Sequence, residues 1–333
     1  MNCILVTGCS GGIGSILVRQ LLEAGVSVIG LDIQAPLFDT SGNHFDFYKG
    51  SVTDSKFLST LPWSRIDKVI HLAAISSLPE CEVEPIKAFT TNFLGTISIV
   101  AMCKFYGIQG LINASTSAVY EGQTNFPFHE EMRCEPHLIY PQTKLMAEQF
   151  LSAQKKTCGF PSVSLRFFNV IGPFQSFSRT SPPLVNYLVR EISQGREPVL
   201  HSSGEQSRDY ISVYDACNAI IAALSICDLP ENIYNVCSER EFSVREIVGL
   251  VEKSLHAKCN PIYRSAELLW DSYPSIGAGK YPIKNRIIST ETNKRSVGDA
   301  RKFSKATNWT ILNPVEKKIS DICSKALECI KNG

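Results

Sequence analysis

The chain lacks a charge field of either sign. Its 33 lysines and arginines stand against 32 aspartates and glutamates, a net charge of +1, so nothing in the balance favours a nucleic acid or a membrane surface as partner. It lacks any pairing pattern in its cysteines. All twelve are scattered, with no C-x-x-C, which argues against an oxidised framework and for a reducing, cytoplasmic setting. The six histidines show no ligand spacing, so no metal is expected. No basic stretch followed by an apolar one opens the chain, hence no signal peptide is expected. No apolar run reaches the ~18 residues of a spanning helix. What is left is the profile of an ordinary globular protein, 44% hydrophobic and 20% charged over 333 residues. That length allows one large domain or two smaller ones.

What the sequence does have begins at its third residue. An apolar run, Cys3-Ile4-Leu5-Val6, leads into Thr7-Gly8-Cys9-Ser10-Gly11-Gly12-Ile13-Gly14, and an amphipathic segment follows from Ile16 to Leu22. The order reads as strand, tight glycine turn, helix. Glycines 8, 11 and 14 allow the turn and the approach of a diphosphate to the helix N-terminus. A second strand, Ser27 to Leu31, ends at Asp32, within the ~20-residue reach of a ribose-binding carboxylate.

Strand and helix patterns then alternate. Strands are expected at His44–Tyr48, Val69–Ala74 with its exit loop, Gly110–Ala114 and Pro161–Phe167, with helices over 85–106 and 137–154. That alternation predicts a Rossmann-like, doubly wound parallel sheet with ligands at the carboxyl ends of its strands. Beyond Gly172 the pattern loosens. Helices are expected near 184–194, 214–225, 244–255 and 314–330, one more core strand at Ile233–Val236, and a long loop over 272–296. The predicted division is a dinucleotide-binding domain over 1–172, rejoined by segments of about 205–240, and a smaller α/β substrate-binding domain over 173–333.

Tyr140 and Lys144 lie four residues apart, hence on one helix face. A phenol with a pKa of about 10 is a poor base at neutral pH. A neighbouring ammonium stabilises the phenolate and makes Tyr140 a candidate acid/base. The exit loop of the preceding strand supplies hydroxyls at Thr116 and Ser117.

Taken together, these pieces resemble the extended short-chain dehydrogenase/reductases of the sugar-nucleotide epimerase/dehydratase family. The likeness runs through Thr7–Gly14, Asp32, His71-Leu72-Ala73-Ala74, Asn92–Thr96, Thr116–Tyr120, Tyr140–Lys144, Leu165–Asn169, Arg208-Asp209-Tyr210 and Asn308-Trp309. It implies NAD as cofactor, held by Gly8, Ser10, Gly11, Gly12, Ile13, Gly14, Asp32, Leu72, Ala73, Ala74, Asn92, Tyr140 and Lys144. No arginine follows Asp32, which favours NAD over NADP. It implies Tyr140 as acid/base, Lys144 as its tuner and Thr116 as hydroxyl helper. Ser117, Asn169 and Arg208 become substrate contacts, with Arg286 and Arg295 both open as the second diphosphate arginine. A UDP-sugar substrate and a homodimer through the helices near 85–106 and 137–154 follow from the same likeness. The width of the sugar pocket would depend on Ser76–Leu78, Phe174–Ser178 and the 272–296 loop.

One departure bears on the reaction. Where the family's dehydratases and decarboxylases carry a carboxyl after the loop threonine, this chain has Ser117-Ala118. That favours C4 epimerisation of a UDP-hexose or UDP-N-acetylhexosamine through a transient 4-keto sugar. Net NAD(P)-dependent oxidoreduction, and a non-catalytic NAD-binding role on this fold, are the competing readings.

Overall fold

In the computed structural model of the protein, residues 3–36, 44–175, 180–228 and 231–332 are described. The first half runs β1 (Cys3–Thr7), α1 (Gly12–Glu23), β2 (Ser27–Asp32), β3 (Phe45–Lys49), α2 (Ser55–Leu58), β4 (Lys68–His71), α3 (Leu78–Val83), α4 (Pro85–Phe89), α5 (Gly95–Tyr106), β5 (Leu111–Thr116), α6 (Ile139–Cys158) and β6 (Ser162–Phe167). The second half runs β7 (Asn169–Ile171), α7 (Leu184–Ser193), β8 (Val199–His201), β9 (Ser207–Ser212), α8 (Val213–Ala223), β10 (Ile233–Val236), β11 (Glu241–Ser243), α9 (Val244–Leu255), β12 (Ile262–Arg264), α10 (Pro274–Gly277), α11 (Asn285–Asn293), α12 (Arg301–Thr307) and α13 (Val315–Asn332).

Seven strands form one parallel sheet in the order β10-β6-β5-β4-β1-β2-β3. All five residues of β1 are buried, as expected of a strand covered by helices on both faces. The strand order reverses between β1 and β4, where Thr7 pairs in register with His71. That switch point opens a crevice at the strands' carboxyl ends. Two core clusters flank the sheet, one with Ile16, Leu17, Val18, Ala216 and Ile220 from α1 and α8, the other with Ile99, Val100, Cys103 and Leu151 from α5 and α6. Glycines in the left-handed region end α5 and α6, Gly107 at φ 70° and Gly159 at φ 66°.

The second half is not one block. β10 pairs with β6 in the main sheet, and α8 packs on the same core as α1. Helices α7, α9 and α13 enclose a separate core around Leu188, Ile247 and Ile322. β7, β9 and β11 make a three-stranded sheet, and β8 and β12 a two-stranded one. These strands of three to six residues carry too few side chains to show a period, which is why the sequence pattern missed them.

One expectation is corrected. The 272–296 stretch is not a loop throughout, because it holds α10 and the nine-residue α11. α11 has little intrinsic helix signal, with Thr, Ser and β-branched residues along it; burial of Ile288 against Leu138, Trp270 and Ile276 holds it. The helix expected over 85–106 is present and carries a π turn. α4, a five-residue π turn at Thr90–Leu94 and α5 run on into one helical stretch of 22 residues, whose best window has a mean hydropathy of 1.4 and is 39% buried. By length and composition it is apolar enough to cross a membrane. Thr, Asn, Ser and Lys interrupt its apolar residues, so no uninterrupted apolar run reaches spanning length. Of the expected width-setting segment Phe174–Ser178, residues 176–178 lie outside the described residues.

Candidate active site

The crevice deepens into a cavity of about 1580 Å3, lined by the glycine turn, the ends of β4 and β5, α6, the β6–β7 segment and residues 291–296. A pocket for one small ligand runs to about 300–1,000 Å3, so this cavity has room for a dinucleotide and a second molecule.

Glycine at two positions is dictated by neighbours. Gly8 sits at φ +72°, and a Cβ there would lie 2.7 Å from the Ala73 nitrogen. A Cβ on Gly14 would lie 2.8 Å from the Cys9 Cα. The turn is therefore folded tightly against the β4 exit and against α1. Gly11 is the N-cap of α1 and offers no side chain, and the first turn of that helix carries no acid. Gly8, Ser10, Gly11, Gly12, Ile13 and Gly14 all line the cavity. An uncapped 12-residue helix opening onto a cavity through glycines has the donors and the positive dipole end that a diphosphate needs, so the residues present fit a dinucleotide. Asp32 accepts N–H bonds from Ser10 and Gln34, both at 3.0 Å, and ties the β2 end to the turn.

A buried hydrogen-bond chain joins this turn to α6. Thr7 Oγ1 accepts from the Ala73 N–H at 3.2 Å and pairs with His71 Nδ1 at 2.7 Å. His71 Nε2 lies 3.1 Å from Thr96 Oγ1, whose own proton goes to the Asn92 carbonyl at 2.7 Å. Nε2 must then be the protonated nitrogen. Burial holds His71 neutral, lowering its pKa to about 3, with Lys144 adding to the effect. The Asn92 side chain exchanges two bonds with the Ile75 backbone and donates to Thr143 Oγ1 at 3.1 Å. The Thr143 hydroxyl donates to the Tyr140 carbonyl at 2.7 Å. Asn92 thus lies behind the cavity wall rather than in it, placed there by the π turn. Leu72 and Ala74 line the cavity.

Tyr140, Lys144, Thr116 and Ser117 converge on the same cavity. Lys144 is 3% exposed, and its ammonium donates to the Ala114 carbonyl at 2.7 Å. Burial lowers its pKa to about 8, with Cys81 and Glu148 pulling it upward. Thr116 Oγ1 accepts the Ala118 N–H at 3.1 Å and caps the short turn that follows β5. Asn169 lines the cavity and donates to the Asp209 carbonyl at 3.2 Å.

The three arginines do not converge: only Arg295 lines the cavity. Arg208 is half-buried, and its guanidinium is spent on backbone carbonyls: Ser207 at 3.1 Å, Glu291 at 2.8 Å, Thr292 at 3.3 Å, and Lys294. It satisfies the C-terminal end of α11 and does not line the cavity. Arg286 is exposed on α11, away from the cavity. Arg295 lies at the cavity edge, ion-paired with Glu241 at 2.9 and 2.8 Å and stacked 4.7 Å over Phe126. Sequence reasoning also missed two carboxylates that cap α6 from other elements. Glu121 accepts from His137 and Leu138 at 2.8 and 3.1 Å, and Glu82 from Ile139 at 2.6 Å. Neither has a sequence signal, since each meets α6 only through the fold. Among the described residues no group of His, Cys, Asp and Glu could hold a metal ion.

The model of the NAD dependent epimerase/dehydratase family matches residues 4–237. The chain belongs to that family. UDP-glucose 4-epimerase 2 of Arabidopsis thaliana is 27% identical over 348 residues, covering 96% of this chain and 93% of that protein. UDP-glucose 4-epimerase of Lacticaseibacillus casei is 31% identical over 269 residues, 75% of this chain and 80% of its own length. Among solved structures, UDP-glucose 4-epimerase of Thermotoga maritima with UDP-glucose superposes with a TM-score of 0.82 at 24% identity, covering 98% of this chain and 99% of that one. UDP-N-acetylglucosamine 4-epimerase of Methanobrevibacter ruminantium, in complex with UDP-N-acetylmuramic acid, gives 0.81 at 23%, with 99% and 98% covered. At these identities the structural likeness establishes the fold.

Proposed function

We propose that the protein is an NAD-dependent 4-epimerase acting on a UDP-hexose or UDP-N-acetylhexosamine. The observation that carries this is the meeting, in one cavity, of Tyr140 and Lys144 from α6, Thr116 and Ser117 from the β5 end, and an open glycine turn. Family membership supports NAD, and the named relatives support the sugar nucleotide. Residues 1–172 with α8 and β10 serve the dinucleotide, and the rest of the second half serves the sugar nucleotide.

Bound NAD supplies the hydride chemistry at C4, by which the sugar passes through a 4-keto form and is reduced again on its other face. The chain's own residues manage the proton. Tyr140 takes it from the C4 hydroxyl and later returns it, and Thr116 Oγ1 orients that hydroxyl. Lys144, fixed by the Ala114 carbonyl, keeps a positive charge below pH about 8 and so favours the phenolate. Ala118 places no carboxyl after Thr116, which suits a reaction that needs one acid/base and no elimination. Asn169 faces the sugar nucleotide. For Arg208 to reach a diphosphate, the end of α11 would have to release it; Arg295 already stands at the cavity edge.

The apolar stretch 85–106 carries exposed Ile86, Leu94 and Phe105, 82%, 50% and 80% accessible. This supports a homodimer through that stretch and α6, for which sedimentation should read twice the 36.8 kDa chain mass. Twelve unpaired thiols suit a reducing compartment.

The experiment is Tyr140→Phe. Turnover of UDP-glucose and UDP-galactose should fall by about 10²–10⁴-fold, the range for loss of a positioned acid/base, while NAD stays bound. Full activity in that variant would remove the mechanism.

A further inference from the structure

Beneath the loop that carries Thr116 lies a buried ion pair that the proton chemistry above does not use. Glu148 is one helical turn beyond Lys144 on α6 and 1% exposed; Arg166 on β6 is 3% exposed. Arg166 Nε donates to both Glu148 oxygens, at 3.0 and 3.2 Å, and Nη2 to Oε2 at 2.7 Å. The Ser115 hydroxyl donates to Glu148 Oε1. Arg166 Nη1 donates to the Tyr120 oxygen at 2.9 Å, and the Tyr120 hydroxyl donates to Asn235 Oδ1 on β10 at 2.8 Å. The segment 115–120 is therefore pinned at both ends, with Thr116 and Ser117 between the pins.

A buried ion pair is costly to desolvate, and apolar residues of the same volume often stabilise a fold as well or better. Stability alone is thus a weak reason for this pair. Two things apolar side chains could not do are to hold the Ser115 hydroxyl and to present negative charge toward Lys144.

We propose that Glu148 is a positioning residue for the reaction: through Ser115, and through Arg166 and Tyr120, it sets the loop that bears Thr116, and it places a carboxyl one helical turn from Lys144. The groups that face Lys144 are His71 from β4, Cys81 from α3, the Ala114 carbonyl from β5, and Glu148 and Tyr140 from its own helix. His71 is neutral there, so Glu148 is the carboxylate opposing the loss of the lysine's proton. Arg166 donates to the Glu148 carboxyl three times and fixes its place behind the loop.

The test reads Lys144 directly in the full-length protein as purified. With lysine labelled at Cε with 13C and the Lys144 signal assigned by Lys144→Met, the wild type should titrate near pH 8. In Glu148→Gln the midpoint should fall by about one unit. Glu148→Gln strands a buried guanidinium, so if the single variant does not fold, the double variant Glu148→Gln/Arg166→Met serves, its Lys144 midpoint read against Arg166→Met, from which it differs by the Glu148 charge alone. Ser115→Ala should leave the Lys144 titration in place and lower kcat on UDP-glucose about tenfold with KM unchanged. An unmoved Lys144 midpoint in a folded Glu148 variant overturns the proposal, and so does a wild-type kcat in Ser115→Ala. The kcat arm rests on the epimerase reading. Should the wild type turn over no UDP-sugar, that reading fails alone, and the titration still decides this one.

Discussion

Thr116 and Lys144 stand on one wall of the cavity, Lys294 and Arg295 on the other, and the two walls are held by different means. The first is made of parallel strand ends and the start of α6. Its polar groups are buried and tied in series, from Thr7 through His71, Thr96, Asn92 and Thr143 to the Tyr140 carbonyl. The second is the end of α11 and the segment after it. It hangs on the guanidinium of Arg208 and on two ion pairs, Lys294 with the buried Glu291 and the more exposed Arg295 with Glu241. A wall built on sheet register cannot shift without breaking the core. A wall built on one arginine and two ion pairs outside the main sheet can move with little global cost. Under the proposed function the reacting groups occupy the first kind of wall, and Lys294 and Arg295 the second.

The largest contrast lies in acid. His71 is held neutral, with a pKa of about 3 against 6.5 when unfolded. Below pH 6.5 the unfolded chain takes a proton there that the folded chain refuses, so stability is lost as pH falls from 6.5 toward 3. The loss amounts to roughly 5 kcal/mol by the lower end, at 1.36 kcal/mol per pKa unit. Urea unfolding at pH 7, 5 and 4 should show a steep decline, which His71→Gln should flatten. An equal decline in that variant would break the claim that the first wall is locked through this residue.

Next comes the turn. Gly8→Ala forces a side chain into the left-handed region and against the Ala73 nitrogen, at a cost of about 3 kcal/mol from the two effects combined. Denaturant midpoints should drop accordingly, and bound NAD should be lost. A stable Gly8→Ala protein that keeps NAD would show the turn to be less tightly packed than the structure has it.

The smallest effects belong to the second wall. Arg208→Met leaves several carbonyls without their donor and should cost about 2 kcal/mol, the scale of hydrogen bonds to a charged group. Hydrogen exchange should localise that loosening to 285–296. Arg295→Met, on an exposed pair, should change stability by under about 1 kcal/mol. If Arg208→Met instead unfolds the protein globally, the two walls are not mechanically separate.

The same division explains what the sequence made legible. Thr116, Tyr140 and the glycine turn are each fixed by a neighbouring strand or helix whose period is visible within a dozen residues, so their convergence could be read from alternation and spacing. Glu148 carries the i, i+4 relation to Lys144 that could have flagged it. Arg208 could not be placed in this way, because its partners lie more than 80 residues later, on a helix whose own signal is weak. Glu82 and Glu121 cap α6 only because α3 and the β5 exit fold against it, and neither contact leaves a local pattern. Asn92 was legible as belonging to the site but not as standing behind its wall, since its placement depends on a π turn.

The most direct test of the account is to incubate the purified protein with UDP-glucose, and separately with UDP-galactose, without added cofactor. The account predicts interconversion of the two, or of their N-acetylated counterparts, at the expense of no free NAD and with no net NADH formed. Stoichiometric NADH release with each turnover, or no interconversion with or without added NAD, would contradict it.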